Sequence, residues 1–92
     1  MARVVVTLKI MPTSPDTVLE EIEKKALVMI KNFVGDLQHK SKQEPVAFGL
    51  KSLIITFLME ESKGSTEELE NQLAGVEGVN SVDVTDVRRA IG

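Results

Sequence analysis

The chain opens on Arg3-Val4-Val5-Val6-Thr7-Leu8-Lys9-Ile10-Met11, a run rich in β-branched residues that halts at Pro12, and this pattern predicts a strand. Lys9 predicts that the strand is not buried on both faces at that end. Pro12 to Pro15 reads as a turn, and Ser14-Pro15 as a helix N-cap followed by proline at the first helical position, so a helix is expected to begin there. Val18, Leu19, Ile22, Ala26, Met29, Ile30 and Phe33 then recur at three- and four-residue steps, with Glu20, Glu21, Glu23, Lys24 and Lys31 mostly off that stripe. The stripe is about four to five turns long, and Gly35 is placed to stop it.

Asp36 to Glu44 is polar, with Leu37 its main apolar residue, which predicts a weakly buried edge strand or a loop ended by Pro45. Leu50 to Met59 is the strongest strand signal. Leu53, Ile55, Phe57 and Met59 point one way and Ser52, Ile54, Thr56 and Leu58 the other, and a segment apolar on two faces belongs in the middle of a sheet. Glu60 to Gly64 is a polar turn. Ser65-Thr66-Glu67-Glu68 has the form of a capping box, serine at the N-cap and glutamate three residues on. Leu69, Leu73 and Val76 stripe a second, shorter helix that Gly75 and Gly78 end. Val79, Val82, Val84 and Val87 make a last strand, interrupted by Asp83 and Asp86.

The predicted order is therefore βαββαβ. In a chain of 92 residues, too short for a second folded domain, that order has one common solution, an α+β ferredoxin-like sandwich whose four-stranded antiparallel sheet carries two helices on one face. Its other face would be open. The fold hosts many unrelated activities and by itself selects none.

Composition narrows the field. With no cysteine there is no disulfide framework, thiolate metal site or cysteine nucleophile. The amino-terminal run lacks a cleavage site, and Lys51 and Glu60 bracket the longest apolar stretch, so a soluble cytoplasmic protein without a membrane partner is expected. The formal net charge is −3, unevenly laid out. Residues 1–59 carry eight basic and six acidic side chains, residues 60–86 one and eight, and Arg88 and Arg89 follow. There is no basic footprint, and three phenylalanines without tyrosine or tryptophan leave no stacking platform, so direct nucleic-acid binding is not expected.

Candidate chemistry is sparse. His39 has no second histidine or cysteine to complete a ligand set and reads as a solvated side chain. The carboxylates at Glu20, Glu21, Glu23, Glu67, Glu68 and Glu70 suit the positive ends of helix dipoles. Ser41, Ser52, Ser62 and Ser65 have only His39 as a base, and nothing positions it for a triad. No glycine-rich phosphate loop occurs, and Met11-Pro12-Thr13-Ser14-Pro15 lacks the glycine and arginine of an acylphosphatase anion loop. The unusual stretch is Glu44-Pro45-Val46-Ala47-Phe48-Gly49-Leu50-Lys51. Phe48, between two small residues, either stands on an exposed loop as an interface anchor or folds back to cap the core with Gly49 supplying a bulge.

Pro45-Val46-Ala47-Phe48-Gly49-Leu50-Lys51 resembles the P-[IV]-[AG]-[FY]-G-[LI]-[KR] signature of the elongation factor 1-beta family. The opening V-V-V-T-L-K-I-M-P-T-S-P-D, the G-S-T-E-E-L-E run at Gly64 to Glu70 and the ending V-x-S-V-D-V-T-D-V-R-R agree with it. The resemblance spans nearly the whole chain and is nearest to the short archaeal form. It implies that residues 1–92 are one guanine-nucleotide exchange domain that binds elongation factor 1-alpha, releases its GDP and performs no bond chemistry, with no cofactor of its own. By the same resemblance Phe48, flanked by Ala47 and Gly49 and followed by Lys51, is the wedge against the GTPase. Aligning the terminal strands puts Arg89, with Arg88 beside it, where the eukaryotic members carry a lysine directed at the magnesium and phosphate site. Arginine keeps that cation but as a planar fork, and Ala90-Ile91-Gly92 extends past it. The other readings open to this fold are a small-molecule-sensing module and an RNA-binding domain.

Overall fold

In β1 (Arg3–Pro12) every second side chain is buried: Val6, Leu8 and Ile10 are closed off from solvent while Val5, Thr7, Lys9 and Met11 are half-exposed. The structure, a computed structural model, describes residues 3–35 and 38–90. It continues through α1 (Leu19–Val34), β2 (His39–Pro45), β3 (Lys51–Glu60), a one-turn 3₁₀ helix (Glu61–Lys63), α2 (Glu67–Ala74) and β4 (Val79–Ala90). The strands form one antiparallel sheet in the order β2-β3-β1-β4, so the ferredoxin-like α+β arrangement is present and β3 is internal, as its two-sided pattern requires. The polar segment is an edge strand from His39 to Pro45; Asp36 and Leu37 lie outside the described residues.

Both helices cover the same face. Leu19, Ile22, Ala26 and Ile30 of α1 and Leu69 and Leu73 of α2 pack on Val6, Leu8, Ile10, Leu53, Ile55, Phe57 and Met59. At roughly 1.5–3 kcal/mol per fully buried large apolar side chain, this face holds the layers together. Among the described residues no helix is long and apolar enough to cross a membrane.

Two helix starts differ from the sequence expectation. Helix α1 begins at Leu19, with Val18 as an N-cap that makes no side-chain hydrogen bond. Ser14 to Thr17 is instead a turn, closed by the Thr17 N–H donating to the Ser14 carbonyl at 3.2 Å. Proline fits the second position of such a turn as well as the first position of a helix, so Ser14-Pro15 did not distinguish them. Val18, outside the helix, is consequently 52% exposed. At α2 the capping box is only half formed: the Glu67 N–H donates to Ser65 Oγ at 3.0 Å, but Thr66 is the N-cap and its hydroxyl donates to Glu70 at 2.8 Å. Gly35 stops α1 as expected, its N–H donating to the Lys31 carbonyl at 2.7 Å. Gly78, at φ 92°, is held against the turn and the first part of α1, since a Cβ there would meet Thr17 Cγ2 at 3.0 Å and Ile22 Cδ1 at 3.5 Å.

Strand β4 contains a β-bulge. Thr7 pairs with Asp86 and Leu8 with Val84, which leaves Thr85 without an opposite residue. Before it, Val82 and Val84 face the helices; after it, the parity reverses, Val87 and Arg89 turn to the helix side, and Asp86 and Arg88 turn to the open face. Val87 sits beyond the cover of the helices and is 56% exposed.

Phe57 is 1% exposed at the centre of the core. Phe57→Ala is expected to lower unfolding stability by about 3–5 kcal/mol, read as a drop in the urea midpoint at unchanged slope.

Candidate partner-binding surface

The hairpin between β2 and β3 carries Ala47, Phe48, Gly49 and Lys51. The Val46 N–H donates to the Leu50 carbonyl at 2.8 Å, and the Leu50 N–H to the Ala47 carbonyl at 3.2 Å. Phe48 and Gly49 are thus the central pair of a tight turn, with φ of 61° and 75°, the two positive values that a type I′ hairpin turn demands. Gly49 meets that demand without strain, and open space surrounds the position its Cβ would take. Phe48 does not, and among the described residues it is the one non-glycine residue with positive φ. A left-handed conformation costs such a residue about 1–2 kcal/mol.

Phe48 is also 94% exposed, so the alternative in which it caps the core is not what the chain adopts. Strain and an unburied ring coincide at one residue, which makes Phe48 the first candidate on this surface. Ala47, Gly49 and Lys51 are exposed beside it. Between this turn and the start of α1 lies an open cleft of about 290 Å³, lined in part by Ser14, Thr17, Val18, Gln43 and Lys51.

Arg88 and Arg89 are at the other end of the sheet. Lys51 opens β3, whereas Arg88 is level with Val5 and Leu58 near its close. Seven residues of strand separate the two levels, roughly 23 Å at the usual rise, in a molecule whose longest dimension is 42 Å. The structure therefore groups Ala47, Phe48, Gly49 and Lys51, and places both arginines apart from them. Each arginine holds a carboxylate: Arg88 Nε lies 2.8 Å from Asp86 Oδ2, and Arg89 Nη2 donates to both oxygens of Glu61 at 2.9 and 3.1 Å. Exposed pairs of this kind are worth about 0–1 kcal/mol, so a partner can draw either cation away. Glu61 escaped the sequence reading, being 28 positions from Arg89. The bulge that aims Arg89 at it did leave a trace, because Val84 and Val87 are one residue too far apart for strict alternation. Ala90 ends the described strand, and Ile91 and Gly92 lie outside the described residues.

The other candidates are absorbed by the scaffold. His39 is exposed at the start of the edge strand, and no group of three or more His, Cys, Asp or Glu able to hold a metal occurs among the described residues. The Ser41 hydroxyl donates to Glu23 at 2.9 Å, the buried Ser52 hydroxyl donates to the Glu44 carbonyl at 3.3 Å, and Ser65 serves the start of α2.

Residues 5–90 match the family described as the EF-1 guanine nucleotide exchange domain. The chain is 44% identical over 89 residues to the elongation factor 1-beta of Methanothermobacter thermautotrophicus, covering 97% of this chain and 98% of that one. It is 40% identical over 93 residues to that of Thermofilum pendens, with both chains covered in full. With that of Staphylothermus marinus it shares 42% identity over 91 residues, covering 97% and 98%.

The turn geometry yields a stability test. Asparagine tolerates the left-handed region, so Phe48→Asn is expected to raise the thermal midpoint, by up to about 1 kcal/mol of stability. An unchanged or lowered midpoint would show that Phe48 is not strained.

Proposed function

The chain belongs to the elongation factor 1-beta family of guanine nucleotide exchange domains, and from that premise we propose that it acts in the cytoplasm on elongation factor 1-alpha, accelerating GDP release so that GTP can enter. Phe48 carries this reading: a strained, almost fully exposed aromatic at the tip of a hairpin whose sequence is the family's signature loop. Burying its ring against a partner returns roughly 1.5–3 kcal/mol, and Ala47 and Gly49 let the partner's backbone approach closely. Lys51 adds a cation at the same end.

Arg89, with Arg88 beside it, forms the second contact. GDP is held in such GTPases by Mg²⁺ and a phosphate-binding loop, and a guanidinium brought to the metal site competes with Mg²⁺ for the same anionic groups. The roughly 23 Å between the two contacts requires a partner engaged at two separate places, with the sheet as a stiff spacer between them. Exchange in this scheme makes and breaks no covalent bond. The domain favours the nucleotide-free GTPase by binding it more tightly than the GDP form, because a partner shifts an equilibrium only by its differential affinity.

Release of fluorescent GDP from elongation factor 1-alpha, with the domain at sub-stoichiometric amounts, tests the proposal. Phe48→Ala is expected to reduce the stimulated rate by roughly 10- to 100-fold, with the thermal midpoint nearly unchanged. Arg89→Ala should lower it in the same assay; a loss seen instead in Arg88→Ala moves the second contact to that residue. No stimulation by the folded wild-type domain would overturn the proposal.

A further inference from the structure

The sheet face turned away from the helices carries a charge pattern that neither the fold nor exchange requires. Pairing register sets its side chains in level rows. Lys40, Thr56, Thr7 and Asp86 form one row across β2, β3, β1 and β4, and Lys42, Ile54, Lys9 and Asp83 form another. One edge of the face is therefore cationic and the opposite edge anionic, at the same two levels. Between them Val5, Ile54 and Leu58 are half-exposed, and Thr7 and Thr56 meet hydroxyl to hydroxyl at 3.3 Å.

We propose that this face is self-complementary and pairs with a second copy of the chain. A half-turn about an axis parallel to the strands lays β2 of one copy over β4 of the other and keeps every row level. Lys40 then meets Asp86 of the second copy and Lys42 meets its Asp83, and symmetry repeats both contacts. Lys9 comes over Ile54 with its own Asp83 beside it. The ion pairs already present on the face, Lys42 with Glu44 at 3.5 Å and Arg88 with Asp86 at 2.8 Å, are exposed and exchangeable. Stacked sheets cross at about 30°, a misalignment that lysine's flexible stem absorbs.

The charge balance selects this occupant over RNA, which calls for a cationic surface with stacking aromatics. Phe57 is in the core, Phe48 is on the hairpin tip and Phe33 is in α1, so this face has none. Four strands at the usual spacing present roughly 500 Å², less than the ~800 Å² per partner of a stable complex. The pair is accordingly weak, forming at high micromolar to millimolar concentration. Phe48 and Arg89 lie outside it, and Arg88, one level beyond the Asp86 row on this face, takes part in neither of the two charge contacts proposed here.

Sedimentation equilibrium of the full chain from about 10 μM to about 2 mM, a range that brackets weak pairs, should show the mean mass rising from 10.1 kDa toward twice that value. Amide shifts on dilution should concentrate at Val5, Thr7, Ile54, Thr56 and Leu58. Reversing one edge, as Lys40→Glu with Lys42→Glu, should weaken the pair at least tenfold or so, as should Asp83→Lys with Asp86→Lys. An equimolar mixture of the two variants should pair again, which a folding defect would not permit. A monomer throughout, a dimer indifferent to reversal, a mixture that stays apart, or shifts that answer to an RNA oligonucleotide and not to concentration would each overturn the proposal.

Discussion

The two-residue alternation of β1 is the constraint to which the rest of the molecule answers. This strand is hydrogen-bonded on both sides, to β3 and to β4, so its even-numbered residues set the buried level for the whole sheet. Val6, Leu8 and Ile10 are closed only because two helices lie over them, and the helices have apolar stripes only wide enough for that one face. A slip of β1 by one residue against β3, whose Leu53, Ile55 and Phe57 are in the core, would bring Lys9 into the core. Register is thus held by the cost of burying a charge, more strongly than by any single hydrogen bond.

That register also distributes the candidate contacts. The β2–β3 ladder runs up to Pro45 and Lys51 and forces the connecting residues into a tight turn, so the strain at Phe48 is maintained by the strands and not by the loop itself. At the far end the bulge at Thr85 turns Arg89 toward Glu61 and Arg88 toward Asp86. Without that extra residue the two arginines would exchange faces. Strand length then sets the spacing between hairpin and arginines, a stiff distance that a flexible linker would not provide.

Most of the architecture was legible along the chain because periodicity is a local property. The stripe from Leu19 to Phe33, the two-sided run of β3 and the polar edge strand are each dictated by short-range spacing, and together they leave few arrangements for a chain of this length. Where local signals were degenerate the reading erred. Ser14-Pro15 suits a turn and a helix start equally, and the serine and threonine before α2 share the cap between them.

The sequence by itself determined which residues could be core and where the chain turns, since both follow from side-chain chemistry repeated at fixed intervals. It also carried the signature around Phe48, but not that residue's exposure. Only the tertiary structure decided that the ring points into solvent, because the outcome depends on how β2 and β3 pair and on whether the core has room for another aromatic. The same holds for Glu61 beside Arg89 and for the rows that set Lys40 level with Asp86. These residues lie far apart in the chain, and what brings them to one level is the strand order and the β4 bulge, which exist only once long-range pairing is complete.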